Sequence, residues 1–215
     1  MSDNDRVLEV YLFVQDTMAD WEIGYVSAEL SSGRFFRADA PEVRFRTVGM
    51  TTDPIRTMGG LTVVPDCTVD DIRVSGDSVI ILPGSDRWQE LSQSPVMDVA
   101  EAILSFGGTV CAICGATVAL AEHGMLDSVH HTSNGPGFLE MFASGYSGSS
   151  LYVDGPAVSD GGVITAGSHG ALMWAKLILG HLGVFDDDVL EAWHGYFSTG
   201  DLQCYFRMVG VVDRG

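Results

Sequence analysis

Residues Thr109 to Leu120 constrain this chain more than any other stretch. Thr109-Val110-Cys111-Ala112-Ile113 is β-branched and apolar, which fits a buried strand. Cys114-Gly115-Ala116 is a step of small residues that fits a sharp turn, and Val118-Ala119-Leu120 continues with helical character. A thiol at such a junction faces the N–H groups that open the helix, and their partial positive charge favours thiolate and lowers its pKa. Gly115 lacks the Cβ that would crowd the turn. The arrangement is the cysteine version of the strained turn that presents a serine nucleophile at the top of an α/β sheet. The plainer alternative is a small buried cysteine that merely ends a strand.

The flanking sequence builds an alternating pattern around that turn. Val7 to Val14 predicts a strand, followed by a polar turn and a helix from about Asp20 to Leu30. Val43 to Val48 alternates like a second strand, and Gly59-Gly60 turns a small hairpin between Pro54–Met58 and Leu61–Val64. Pro65 to Ile72 predicts a short helix with Thr68 as its N-cap and Asp71 as the capping acid. Ser78-Val79-Ile80-Ile81-Leu82 is nearly all apolar, as at the centre of a parallel sheet covered on both faces, and it ends in Pro83-Gly84-Ser85. Ser94 to Phe106 has a cap, an early proline and apolar spacing at Val96, Val99, Ala100, Ile103 and Leu104, so it predicts an amphipathic helix.

After the cysteine turn, a helix to about His123 leads to a short strand at Val129–Asn134. Gly135 to Phe142 is expected to be helical, Ser144 to Ser150 a flexible Gly/Ser loop, and Gly162 to Ala166 a late strand. Gly167-Ser168-His169-Gly170 turns into a mostly buried helix over Ala171–Leu179, and Asp186 to Phe197 forms the last element. Strands alternating with helices predict an α/β fold, a mostly parallel central sheet with helices on both faces. Its ligand crevice lies beyond the carboxyl ends of the strands, where Leu82–Ser85 and Ile113–Gly115 share a rim.

Composition narrows the function classes. At 215 residues and 46% hydrophobic side chains, the chain can bury one full core, so a single domain over 1–215 is expected. Its 29 acidic against 11 basic residues leave a net charge of -18, which repels a phosphate backbone or an anionic membrane surface and argues against nucleic-acid and membrane partners. The opening Met1 to Arg6 is acidic and polar where a secretory leader is basic and then apolar, so a cytoplasmic location is expected. Four cysteines, Cys67, Cys111, Cys114 and Cys204, are too sparse for a disulfide-stapled module and point to free thiols. The six histidines show no metal-ligand spacing, and neither a metal nor a cofactor is expected.

Ala112-Ile113-Cys114-Gly115-Ala116, the Ile81-Leu82-Pro83-Gly84 loop and the acidic Asp20-Trp21-Glu22 resemble the ThiJ/PfpI family of the class I glutamine-amidotransferase-like superfamily. The resemblance spans nearly the whole chain and implies a flavodoxin-like α/β sandwich, a homodimer, and a reactive cysteine hydrogen-bonded to an acid on the first helix. Carried over, Cys114 is the nucleophile and Glu22 its partner, with Asp20 as the fallback. Gly84, Ser85 and Gly115 would offer backbone N–H groups to a developing oxyanion. Hydrolytic members carry a histidine directly after the cysteine or at the end of the next strand, whereas these positions hold Gly115 and Asn134. His130 and His131 lie just upstream, and because strand neighbours face opposite sides, one of them could reach the rim. His169, on a glycine-flanked turn, is a further ligand-contact candidate, and Trp88 could wall the pocket. His123, His181 and His194 fit surface or packing roles, and Cys111 fits core packing better than a redox pair with Cys114.

Three functions follow. The first is a cysteine-dependent enzyme acting on a small carbonyl or amide-like molecule. The second is a redox or stress sensor that oxidises the same cysteine without catalysis. The third, a glutaminase subunit feeding ammonia to a partner, requires a late histidine–glutamate pair that the sequence does not display.

Overall fold

A computed structural model describes residues 6–89 and 94–210, so the acidic opening at 1–5 lies outside the described residues. Seven strands form one sheet: β1 (Val7–Phe13), β2 (Glu42–Gly49), β5 (Cys67–Thr68), β6 (Ser78–Leu82), β7 (Thr109–Ile113), β8 (Ala157–Asp160) and β9 (Val163–Ala166). Their order is β5-β2-β1-β6-β7-β9-β8, and every pairing is parallel except β8 against β9. The predicted hairpin is present as β3 (Ile55–Arg56) antiparallel to β4 (Thr62–Val63).

The central strands alternate between two cores, which is why their sequences are apolar throughout. Leu8, Val10, Leu12, Val79, Ile81, Cys111 and Ile113 face one core. Tyr11, Phe13, Ile80, Leu82, Val110 and Ala112 face the other. Helices α1 (Asp20–Ser32), α5 (Ala171–His181), α6 (Asp187–Thr199) and α7 (Leu202–Met208) supply the first core. Helices α2 (Ser94–Ser105), α3 (Gly115–Glu122) and α4 (Phe138–Phe142) supply the second. The sheet is thus sandwiched, and the carboxyl ends of β1, β6 and β7 meet the amino ends of α1 and α3 on one rim.

Several local expectations are corrected. Pro65 to Ile72 is not a helix: Cys67–Thr68 pairs with β2, and only Val69–Asp71 makes a single 3-10 turn, although the Thr68/Asp71 capping box does form. Val129 to Asn134 does not enter the sheet. The Thr132 N–H donates to the Thr165 hydroxyl (2.8 Å) instead of to a strand ladder, and His131 only bridges Tyr152. The place beside β9 belongs to β8, which the sequence reading missed. Segment 144–150 is tied down rather than free: Glu122 accepts from the Ser144 and Gly145 N–H groups, and Asp127 from the Ser147 N–H. Asp186 to Phe197 is not the last element, because α7 follows, capped by Asp201, which accepts from the Gln203 N–H (2.8 Å).

Candidate active site

Cys114 sits between β7 and α3 with φ 57 and ψ -123, a backbone region that residues with a Cβ seldom occupy. The strained turn is held from below. The Cys114 N–H donates to the Ala166 carbonyl (3.0 Å), and the Cys114 carbonyl accepts from the Thr117 hydroxyl (2.6 Å). Thr117 in turn bonds the buried Ser133 hydroxyl (2.6 Å), so α3 and the 131–134 segment are fixed to each other. Neither Thr117 nor Ser133 stood out in the sequence. A hydroxyl three residues after the elbow, able to bond back to its carbonyl, was the available signal.

Glu22 is fully buried, and its Oε2 accepts from the Gly84 N–H at 2.6 Å. The two groups meet because the Ala19 N–H donates to the Gly84 carbonyl (2.9 Å), anchoring the start of α1 to the loop after β6. A Cβ placed on Gly84 would lie 2.7 Å from Glu22 Oε2, 2.8 Å from Cys114 Cβ and 3.1 Å from Cys114 Sγ. Acid and thiol therefore close around the one residue small enough to sit between them. Asp20 points elsewhere: its Oδ2 accepts from the Gly59 N–H (2.5 Å) in the hairpin turn. Residues two apart on a helix lie on opposite sides, so only one of the two acids could face the cysteine.

Asn134 Nδ2 donates to Cys114 Sγ (3.4 Å), while its Oδ1 accepts from the Ser168 N–H (2.9 Å), which fixes the orientation of the amide. The Gly115 N–H also faces the sulfur. Ser85 lies across from Gly115, whose added Cβ would stand 3.2 Å from the Ser85 carbonyl oxygen. The expectation that Gly84 offers its N–H to an oxyanion fails, because Glu22 already holds that proton donor. His169 is exposed over Gly167. Of the two histidines upstream, His130 bonds Asp160 (2.9 Å), and His131 is fully buried between the Val129 carbonyl and the Tyr146 hydroxyl. Neither is bonded to the sulfur.

The electrostatics reverse the expected direction at the thiol. Burial pushes the Cys114 thiol up, the nearby Glu22 charge adds to this, and the N–H donors of Asn134 and Gly115 only partly offset it. Burial likewise raises the Glu22 carboxyl, against the lowering by the Gly84 N–H and the Cys114 contact. Two acidic groups in one dry site resist losing both protons, so between their two ionisations the pair holds one proton jointly. Cys111 is fully buried in a core, and burial drives its thiol far up. All four cysteines are free. Among the described residues no cluster of three His, Cys, Asp or Glu side chains is placed to hold a metal, and no helix is long and apolar enough to cross a membrane.

Fold and site together define an α/β protein that presents a cysteine on a strained strand-to-helix turn beside a buried carboxyl. The chain belongs to the DJ-1/PfpI family, whose model matches residues 8–180. It is 39% identical over 206 residues, 96% of this chain and 98% of the relative, to a Bacillus subtilis protein named as an uncharacterized protease. A shorter match, 28% over 122 residues and 61% of the relative, is to a glutathione-independent glyoxalase from Caenorhabditis elegans. Among solved structures, a ThiJ/PfpI family protein from Bacillus anthracis superposes with a TM-score of 0.93 at 37% identity, covering 97% of this chain and 98% of that one. A DJ-1 superfamily protein from Agrobacterium tumefaciens gives 0.77 at 28% identity, with coverage of 90% and 98%.

Proposed function

We propose that this protein is a cysteine-dependent enzyme of small carbonyl compounds, with Cys114 as nucleophile and Glu22 as the proton carrier. The observation that carries the reading is the closure of Glu22 and Cys114 around Gly84, which joins a buried acid to a thiol. In the step proposed, the thiol proton passes to Glu22 and the sulfur adds to the carbonyl carbon. The carbonyl π pair moves onto oxygen beside the Ser85 and Gly115 N–H groups, and Glu22 returns the proton to that oxygen. Atoms and charge balance without a co-reactant.

Amide hydrolysis asks for more, since the departing nitrogen must be protonated and a water activated. A neutral amide such as Asn134 donates hydrogen bonds but carries no proton to and fro. A positioned base is worth about 10²–10⁴-fold, so carbonyl addition suits this site better than peptide cleavage. The glyoxalase name of the Caenorhabditis elegans relative supports the carbonyl reading, and the protease name of the Bacillus subtilis relative supports the amide one. A second reading, oxidation of Cys114 by peroxide as a stress sensor, is favoured by the Asn134 and Gly115 donors, which could also hold a sulfinate.

A single-domain homodimer is part of the proposal. Trp21, Met58, Leu61 and Val64 are exposed on α1 and on the hairpin, whose Met58 N–H donates to the Met18 carbonyl (2.9 Å), and they offer apolar surface to a second copy. The functional test is consumption of glyoxal-type aldehydes, glutamine and peptides by the parent, Cys114→Ser and Glu22→Gln. Aldehyde turnover that disappears in both variants is expected. Peptide or glutamine hydrolysis exceeding aldehyde turnover would overturn the carbonyl assignment, and an inert parent would leave the sensor reading.

A further inference from the structure

Beside the cysteine turn, and bordering it through Ser85 and Gly115 rather than through Cys114 itself, lies a second hollow. It is a cleft of about 260 Å³ lined by Ser85 and Gly115 and walled by Trp88, Val118, Phe138 and Phe142. Its walls are set in place rather than loose. Trp88 Nε1–H donates to the Pro83 carbonyl (2.7 Å), and its ring packs on Phe13 with centroids 5.7 Å apart. Phe138 and Phe142 lie against each other with centroids at 4.9 Å. Trp88 also edges Gly115, whose added Cβ would stand 3.5 Å from its Cδ1, so the aromatic wall continues directly into the proposed oxyanion donors. The volume is just under the roughly 300 Å³ at which drug-sized pockets begin, enough for one ring or a branched alkyl group.

Resting on the carbonyl reading above, we infer that the cleft selects aldehydes bearing a neutral aromatic or branched aliphatic substituent, which it seats while the carbonyl is held at Cys114. Anionic substituents are disfavoured by the exposed Asp86 in the lining and by the net charge of -18. Burying one ring face against Phe142 and Trp88 favours the larger aldehyde by about tenfold, equivalent to about 1.4 kcal/mol.

The test uses reversible protection of Cys114 against iodoacetamide, read by mass spectrometry of the Cys114 peptide. Acetaldehyde and phenylacetaldehyde are titrated, each normalised to its thiohemiacetal formation with N-acetylcysteine. Phenylacetaldehyde is expected to protect at a concentration at least tenfold lower than acetaldehyde. That ratio should fall below threefold in Phe142→Ala, whose side chain is 44% exposed and removable without opening a core. A normalised ratio near one in the parent, or a ratio unmoved by both Phe142→Ala and Phe138→Ala, overturns the inference. Protection by acetaldehyde with no advantage for phenylacetaldehyde sinks this inference alone. Absence of protection by either aldehyde sinks the carbonyl reading and this one with it.

Discussion

Replacing Gly84 with alanine tests the geometry on which the site depends. The new methyl group would stand 2.7 Å from Glu22 Oε2 and 2.8 Å from Cys114 Cβ, both closer than carbon tolerates. The Cys114 Cβ cannot retreat, because its backbone is pinned to the Ala166 carbonyl and the Thr117 hydroxyl. The Glu22 carboxyl must swing instead, which breaks its bond from the Gly84 N–H in a fully buried setting. Overpacking costs about 1–3 kcal/mol, and loss of a hydrogen bond to a charged or strongly polar group about 1.5–3 kcal/mol, together roughly 2.5–6 kcal/mol. For a chain of this size, this lowers the melting temperature by roughly 5–24 °C. Gly115→Ala is the matched control, since its Cβ would meet nothing nearer than the Ser85 carbonyl oxygen at 3.2 Å. Scanning calorimetry of both variants decides the matter. If Gly84→Ala melts with Gly115→Ala and the parent, acid and thiol do not close around this residue, and the reasoning fails.

Glu22→Gln should raise the melting temperature relative to the parent by an amount that grows with pH. Burial raises the folded-state carboxyl above its ordinary 4.5, so its contribution is complete below that value and declines as pH climbs through the raised one. Melts from pH 4 to pH 8 check this, and a gap that narrows with rising pH would refute it. Alkylation of Cys114 should keep accelerating beyond pH 9, because burial holds the thiol up; a plateau near neutrality would contradict that assignment. Asn134→Ala removes a donor to the sulfur and should slow aldehyde addition about tenfold, and because it also strips the acceptor of the Ser168 N–H it should cost about 1–3 kcal/mol of stability. Trp193→Phe strips the Nε1–H that donates to the buried Glu29 (3.0 Å) and should destabilise the chain by about 1–3 kcal/mol, read from chemical denaturation.

The architecture was legible because both faces of β6 and β7 are covered, which leaves uninterrupted apolar runs that only a sandwiched parallel sheet uses well. The elbow was legible from the same economy: an apolar strand, small residues, then a helix within one turn. What escaped depends on partners distant in sequence. Nothing in Ala157–Asp160 announces a strand until β9 lies beside it, and nothing in Val129–Asn134 denies one until Thr165 takes its N–H. Gly200 followed by Asp201 marks in the sequence the stop and start that separate α6 from α7. Asp20 and Glu22 were near-equivalent on paper, and the choice between them required knowing which side of α1 faces β6. The rise of the thiol was hidden for a similar reason. Helix-end polarity can be read from sequence, whereas the dryness of a pocket and the carboxyl enclosed in it cannot.

The backbone at Cys114 carries a last implication. A conformation that suits glycine costs an L-residue about 1–3 kcal/mol, so the chain is less robust than its packing alone would permit. Populations screened only for heat tolerance should drift toward glycine at this position and shed the sulfur as they do so, while those screened for chemistry should keep the handicap. Evolution under the two regimes would pull the same codon in opposite directions.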